Sequence, residues 1–187
     1  DDYLATMMPH IRAAGDVAGK QQLTHGASHE AWYAAVNALA VPFRRFRADY
    51  RVLPRTTYSE PELASVGLTV EQAVEQNIAH DVTRYDLDDL DRAIADGERQ
   101  GFVKILTAKG SDRILGATII GSHAGELLAE INFAMRHNLG LGKIMATIHS
   151  YPGWSESAKF AAGQYRLARK PENLLSIAER FFDWRRG

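Results

Sequence analysis

The chain reads as an α+β fold in which an antiparallel sheet is flanked by helices. Three observations point there. Residues 55–120 carry short β-prone runs punctuated by turn signals, and residues 126–185 read as helices in succession. Four of the strands are expected to pair in sequence order, which leaves the later helices to cover one side of the sheet. The hydrophobic fraction is 45%, enough for a real core in 187 residues, a length that fits one large domain or one domain plus a piece of another.

Along the chain, Pro9 to Ala14 is a short extended run that stops at Gly15-Asp16. A helix is expected from Thr24 to Ala40, with Thr24 as its N-cap and Pro42 as its terminator. Phe43 to Arg51 interleaves four arginines with aromatics and serves as a connector. Strands follow at Arg55–Tyr58 and Leu63–Gly67, around a turn at Ser59–Glu62. Thr69 caps a helix running to Gln76, with Glu71 in its first turn where the helix dipole favours an acid. His80–Asp86 is a third strand and Asp86–Asp91 an acidic loop. Phe102–Thr107 and Ile114–Ile120 form a hairpin around Lys109-Gly110-Ser111-Asp112. Leu127, Ile131, Ala134 and Met135 give residues 126–137 a helical spacing, and Leu141–Ala146 is a second short helix. Two more cover Ser155–Arg169 and Asn173–Arg185, separated at Pro171.

Composition removes several classes of function. Twenty-two Lys and Arg against 23 Asp and Glu give a net charge of −1, which argues against a general nucleic-acid or anionic-membrane surface. No run approaches the roughly 18 apolar residues of a membrane span. Asp1-Asp2-Tyr3 lacks the basic and apolar regions of a signal peptide, so a cytoplasmic protein is the expectation. With no cysteine, the chain holds neither a disulfide nor a thiol nucleophile. Glu126 and Glu130 lie one helical turn apart, but no His stands at metal-ligand spacing with them, so a solvated or interface face is expected.

Two stretches carry chemistry. In the first, Gly15 can take a positive φ and let a backbone approach a ligand, while Asp16 presents a carboxylate beside it. Leu23-Thr24-His25-Gly26-Ala27 then opens a helix. Taken alone, Gly-Asp is a common turn. In the second, His149-Ser150-Tyr151-Pro152-Gly153-Trp154-Ser155-Glu156 places an imidazole, a phenol and a carboxylate within eight residues around a Pro-Gly turn. A lone His is often structural, and Glu156 could serve only as a carboxylate at a helix start.

Together these stretches resemble the FAD-dependent pyridine nucleotide-disulfide oxidoreductases, of the dihydrolipoamide dehydrogenase and mercuric reductase-like kind. Pro54 to Thr69 resembles the opening of that family's C-terminal dimerisation domain, and Gly101 to Glu130 its central hairpin and interface helix. The resemblance implies that residues 1–50 are the remnant of an FAD-binding domain and a connector, and that 51–187 are the dimerisation domain with a helical extension. Under it Gly15, Asp16, Leu23, Thr24, His25 and Ala27 belong to a flavin site, with Asp16 on a ribityl hydroxyl and the helix start at the flavin pyrimidine. His149, Tyr151 and Glu156 fall in the His-x-His-Pro-x-x-Ser-Glu segment, whose second His is the acid/base residue delivered across a two-fold interface. Here that residue is Tyr151, and a phenol with an ordinary pKa of about 10 is a poor base at neutral pH. Gly153 stands where the family has Thr.

The implied whole is an NAD(P)H-dependent FAD oxidoreductase that forms a homodimer through its C-terminal domain, with no nucleic-acid or membrane partner. FAD and NAD(P)H are expected in the full-length enzyme and neither on this chain, which lacks Gly-x-Gly-x-x-Gly and should be inactive alone. The alternative is a non-catalytic, stand-alone dimerisation module. The tail beyond Pro171 spaces Leu174, Ile177, Phe181 and Trp184 as an amphipathic helix.

Overall fold

A computed structural model describes residues 1–19 and 21–186, with side chains described outside 172–175. It separates into two compact units, Asp1–Leu53 and Pro54–Gly187.

The first unit is organised by α1, Thr24–Ala40. Its boundaries are those expected, but Thr24 is its first helical residue rather than its cap. Leu23, in an extended conformation, occupies the N-cap position and gives no side-chain capping bond. This helix inverts the usual pattern. Glu30 and Asn37 are fully buried, while Trp32 and Leu39 are 68% and 87% exposed. Burying polar groups is tolerable only when they are bonded. Asn37 meets that demand three times: its Nδ2 donates to Tyr3 O (3.1 Å) and Phe46 O (2.7 Å), and its Oδ1 accepts from Phe46 N (2.7 Å). It thus clasps the start of the chain to the segment after α1. Pro9–Ala14 contributes one antiparallel bridge, Ala5 to Arg12. In the 43–51 segment Arg45 and Arg47 pair with Asp1 and Asp2, so part of its positive charge is spent locally.

The second unit holds five strands: β1 Arg55–Thr57, β2 Glu62–Gly67, β3 His80–Asp86, β4 Phe102–Ala108 and β5 Ile114–Gly121. All pair antiparallel in the order β1-β2-β5-β4-β3. Pairing in sequence order therefore fails at one point, because β2 pairs with β5 and not with β3. The cause is burial. β4 and β5 contribute Val103, Ile105, Leu106, Ala117 and Ile119, each no more than 1% exposed, and they take the middle of the sheet. β3, with Asp81, Arg84 and Asp86, is left at the edge, where charged strands belong.

The register separates the two faces. Tyr85, Val103, Ile119 and Ala64 form one cross-strand row, and Thr83, Ile105, Ala117 and Val66 the next. All eight are buried. Between them, Arg84, Lys104, Thr118 and Ser65 point the other way. The sheet is covered on the apolar side by α4, Ala124–Arg136, and α6, Glu156–Leu167. On α4 the buried residues Ala124, Leu127, Leu128, Ile131 and Ala134 follow the helical repeat. Burying each of the larger ones contributes on the order of 1.5–3 kcal/mol. The helix starts at Ala124, two residues before the expected Glu126, because the Glu62 carboxylate accepts from Gly125 N (3.0 Å) and serves its positive end.

Smaller elements complete the unit. α2, Val70–Glu75, is capped by Thr69 as expected, and Gln72 closes a reciprocal capping box with it. The expected acidic loop is instead a 3-10 turn, Leu87–Asp89, followed by the short helix α3, Asp91–Asp96. Gly97 ends it with a φ of 76°. α5, Leu141–Ala146, packs on α6, and α7 spans Glu172–Arg186. The Leu174 side chain lies outside the described residues.

Candidate functional site

The residues singled out in the sequence fall into two sets, one in each unit. In the first unit, Gly15 is buried with φ 77° and ψ −156°. A Cβ placed there would come 3.2 Å from the Ala27 Cβ, so the turn lies close against the first turns of α1. Its N–H donates to Glu30 Oε2 at 2.6 Å, and Tyr50 Oη donates to the other oxygen at 2.8 Å. Glu30 was not foreseen; it is the buried support of the whole turn. Desolvation, with Glu30 second, pushes the Tyr50 phenol above its ordinary range. Asp16 follows as the exposed first residue of a 3-10 turn, and its carbonyl accepts from Gly19 N (3.0 Å). Leu23 O accepts from Ala27 N (2.8 Å), which starts α1, and Thr24 and His25 are exposed on its first turn. A backbone that only Gly can supply, beside a carboxylate and a helix start, suits the approach of a dinucleotide's polar parts.

In the second unit, residues 147–155 link α5 to α6, with a cis bond between Tyr151 and Pro152. His149 is anchored inside. Its side chain is 5% exposed, Nε2 lies 3.0 and 3.1 Å from the two Glu130 oxygens, and Nδ1 lies 3.1 Å from Thr147 O. Both ring nitrogens face acceptors, so the imidazole makes both bonds as a donor only when doubly protonated. The sequence spacing gave no His for Glu130; the fold supplies one 19 residues away. Glu156, also buried, accepts from Gly153 N (3.1 Å) and so serves the turn at the head of α6.

Tyr151 behaves differently. It is 72% exposed, and its hydroxyl donates to Asp91 Oδ2 at 2.8 Å. That bond, more than the Coulomb effect of the same carboxylate, holds the phenol above its ordinary pKa. Trp154 Nε1 donates to Asp96 (3.0 Å), which also pairs with Arg92 (2.7 Å). α3 is therefore the support of the turn, through Asp91 and Asp96. His149, Tyr151 and Glu156 do not form one hydrogen-bonded set. Two anchors flank an exposed phenol whose single proton is already committed. Among the described residues no group of three or more His, Asp or Glu is placed to hold a metal.

Residues 53–162 match the pyridine nucleotide-disulphide oxidoreductase dimerisation domain. The chain belongs to that family. It is 40% identical over 165 residues to a dihydrolipoyl dehydrogenase of Chlamydia muridarum, covering 86% of this chain and 35% of the relative. A mercuric reductase of Streptomyces lividans is 33% identical over 162 residues, covering 87% and 34%. Among solved structures, LpdA of Mycobacterium tuberculosis superposes with a TM-score of 0.80 at 27% identity, over 88% of this chain and 36% of that one. RclA, an HOCl-induced flavoprotein disulfide reductase of Escherichia coli, gives 0.78 at 26%, over 87% and 37%. RclA is also among the matches as a Cu(II) complex. The chain thus spans about a third of the length of the relatives it matches. The matched residues fall in the second unit, where an antiparallel sheet carries helices on one face.

Proposed function

We propose that the chain is the interface portion of an NAD(P)H-dependent FAD oxidoreductase that pairs two-fold through residues 51–187, and that residues 1–50 end its FAD-binding domain. The match of residues 53–162 to the dimerisation domain carries this reading. The exposed apolar surface of α1 and of the segment after it supports it: Trp32 and Leu39 on the helix and Phe43 beyond it, at 68%, 87% and 94% exposure, suit a segment that packs against more protein of its own kind. Gly15, Asp16 and the start of α1 at Leu23, Thr24, His25 and Ala27 would hold the flavin, which when bound accepts a hydride and passes electrons onward. On this chain alone they supply few of the contacts a dinucleotide needs, so FAD should bind the isolated chain weakly or not at all.

Tyr151 takes the place of the family's acid/base His and works differently. With its O–H donating to Asp91, its oxygen presents lone pairs to whatever approaches, and it cannot take up a further proton near neutrality. The full enzyme should then favour acceptors that need no base: a metal ion, a quinone or another group reduced directly. The mercuric reductase relative and the Cu(II) complex of RclA are in keeping with a metal-ion acceptor. The test is Tyr151→Phe in the full-length enzyme, assayed with a metal ion, a quinone and dihydrolipoamide. Turnover with the direct acceptors should fall. Unchanged turnover with all of them leaves Tyr151 a packing role, and brisk dihydrolipoamide oxidation by the wild type defeats the substrate reading.

A further inference from the structure

We propose that Asp91 sets which acceptors the enzyme favours, metal cations over neutral and anionic ones; this rests on the placing of Tyr151 at the acceptor site proposed above. Asp91 opens α3, 60 residues before Tyr151, and meets it through one bond, the phenol O–H donating to Asp91 Oδ2 at 2.8 Å. Both side chains belong to exposed residues. The neighbours leave the Asp91 charge uncompensated. Arg92, the next residue, is taken by Asp96 (2.7 Å), which also accepts from Trp154 Nε1. Among the described residues no Lys, Arg or His pairs with Asp91. The other carboxylate that acts on the phenol, Glu156, is buried and bonded to Gly153 N.

This arrangement limits what the phenol can do. To give its proton to a substrate, Tyr151 must leave a phenolate against the Asp91 carboxylate with no counter-charge beside it. The bond to Asp91 and then its charge, ahead of that of Glu156, hold the phenol above its ordinary range for that reason. To take a proton up, a neutral phenol is too weak a base near neutrality. Both directions of proton transfer are therefore disfavoured at this hydroxyl. What it offers is an oxygen with free lone pairs beside one full negative charge. A cation that meets the oxygen is attracted by Asp91 as well, and an anion is repelled.

The full-length enzyme is assayed with three acceptors of different charge: Cu(II), an uncharged benzoquinone and ferricyanide. Asp91→Asn keeps the size of the side chain and an oxygen that accepts from the phenol, and removes only the charge. It should lower kcat/KM for Cu(II) about tenfold, raise it for ferricyanide and place benzoquinone between the two, a spread that fades as salt is raised. Asp91→Glu should keep the wild-type order. On the chain itself, the ultraviolet titration of Tyr151, identified by its loss in Tyr151→Phe, should move down in Asp91→Asn and stay raised in Asp91→Glu. A change of one size for all three acceptors in Asp91→Asn overturns the inference and leaves Asp91 a structural role. Loss of the Cu(II) preference in Asp91→Glu as deep as in Asp91→Asn overturns it too. If Tyr151→Phe leaves Cu(II) reduction untouched, the placing of Tyr151 fails and the inference falls with it. If Tyr151→Phe lowers Cu(II) reduction while Asp91→Asn keeps the wild-type order, only the inference fails.

Discussion

Replacing Glu30 tests whether the Gly15 turn is held from behind. The carboxylate accepts from Gly15 N (2.6 Å) and from Tyr50 Oη (2.8 Å) in a site with no exposure. Hydrogen bonds to a charged group contribute about 1.5–3 kcal/mol each, and a buried donor left without a partner costs a similar amount. Glu30→Ala should therefore destabilise the first unit by about 3–5 kcal/mol, a large part of the total for a unit of this size. Glu30→Gln keeps the shape and one good acceptor, so it should cost about half as much. Trp32 is the only tryptophan in residues 1–53, so urea unfolding followed by fluorescence in a Trp154→Phe, Trp184→Phe background reports on this unit. Tyr50 gives a second readout. Glu30 raises its phenol only after burial does, so Glu30→Ala should bring the titration down without restoring the ordinary value. A loss below about 1 kcal/mol for Glu30→Ala would refute the support role.

Three further outcomes are expected. Gly116→Ala should break the centre of the sheet, since its Cβ would stand 2.1 Å from Leu68 O and 2.5 Å from Leu68 N, and thermal unfolding should drop sharply or expression fail. Asp81 is held down to about 2 first by Lys109, then by Gly110 N–H and Arg169. A depressed carboxyl stabilises the fold above its unfolded pKa of about 3.9 and loses that contribution as pH falls toward 2, which carbon-detected NMR titration beside acid unfolding would show. Asp91→Asn should lower the Tyr151 phenol, read as an earlier ultraviolet titration that Tyr151→Phe removes.

Much of the architecture was legible because the strands obey a two-residue alternation and the long helices a 3.6-residue one. β4, β5 and α4 show their buried faces directly in Val103, Ile105, Ile119, Leu127 and Ile131. α3 was hidden because Asp88, Asp89 and Asp91 look like a solvated loop; the signal that could have marked it was Gly97 as a helix stop. The order of strands was recoverable in principle, since the most apolar pair belongs in the middle. The supports of the site were not. Asp91 stands 60 residues from Tyr151, Glu130 stands 19 from His149 and Gly15 stands 15 from Glu30. No periodicity links such pairs. A Glu in an Ala-rich helix reads as a solvent residue until the turn that needs it is in place.

The edges of the sheet limit how two copies can meet. One border is β1, only three residues long, and the other is β3, where His80, Asp81, Arg84 and Asp86 crowd the rim. A neighbour joining as a sixth strand would find too few amides on the first side and would have to strip water from charged groups on the second. Growth of the sheet from molecule to molecule, the route by which many β proteins aggregate, is blocked at both ends. Any association is thereby left to helices and loops, the surfaces from which a closed two-fold pair can be built.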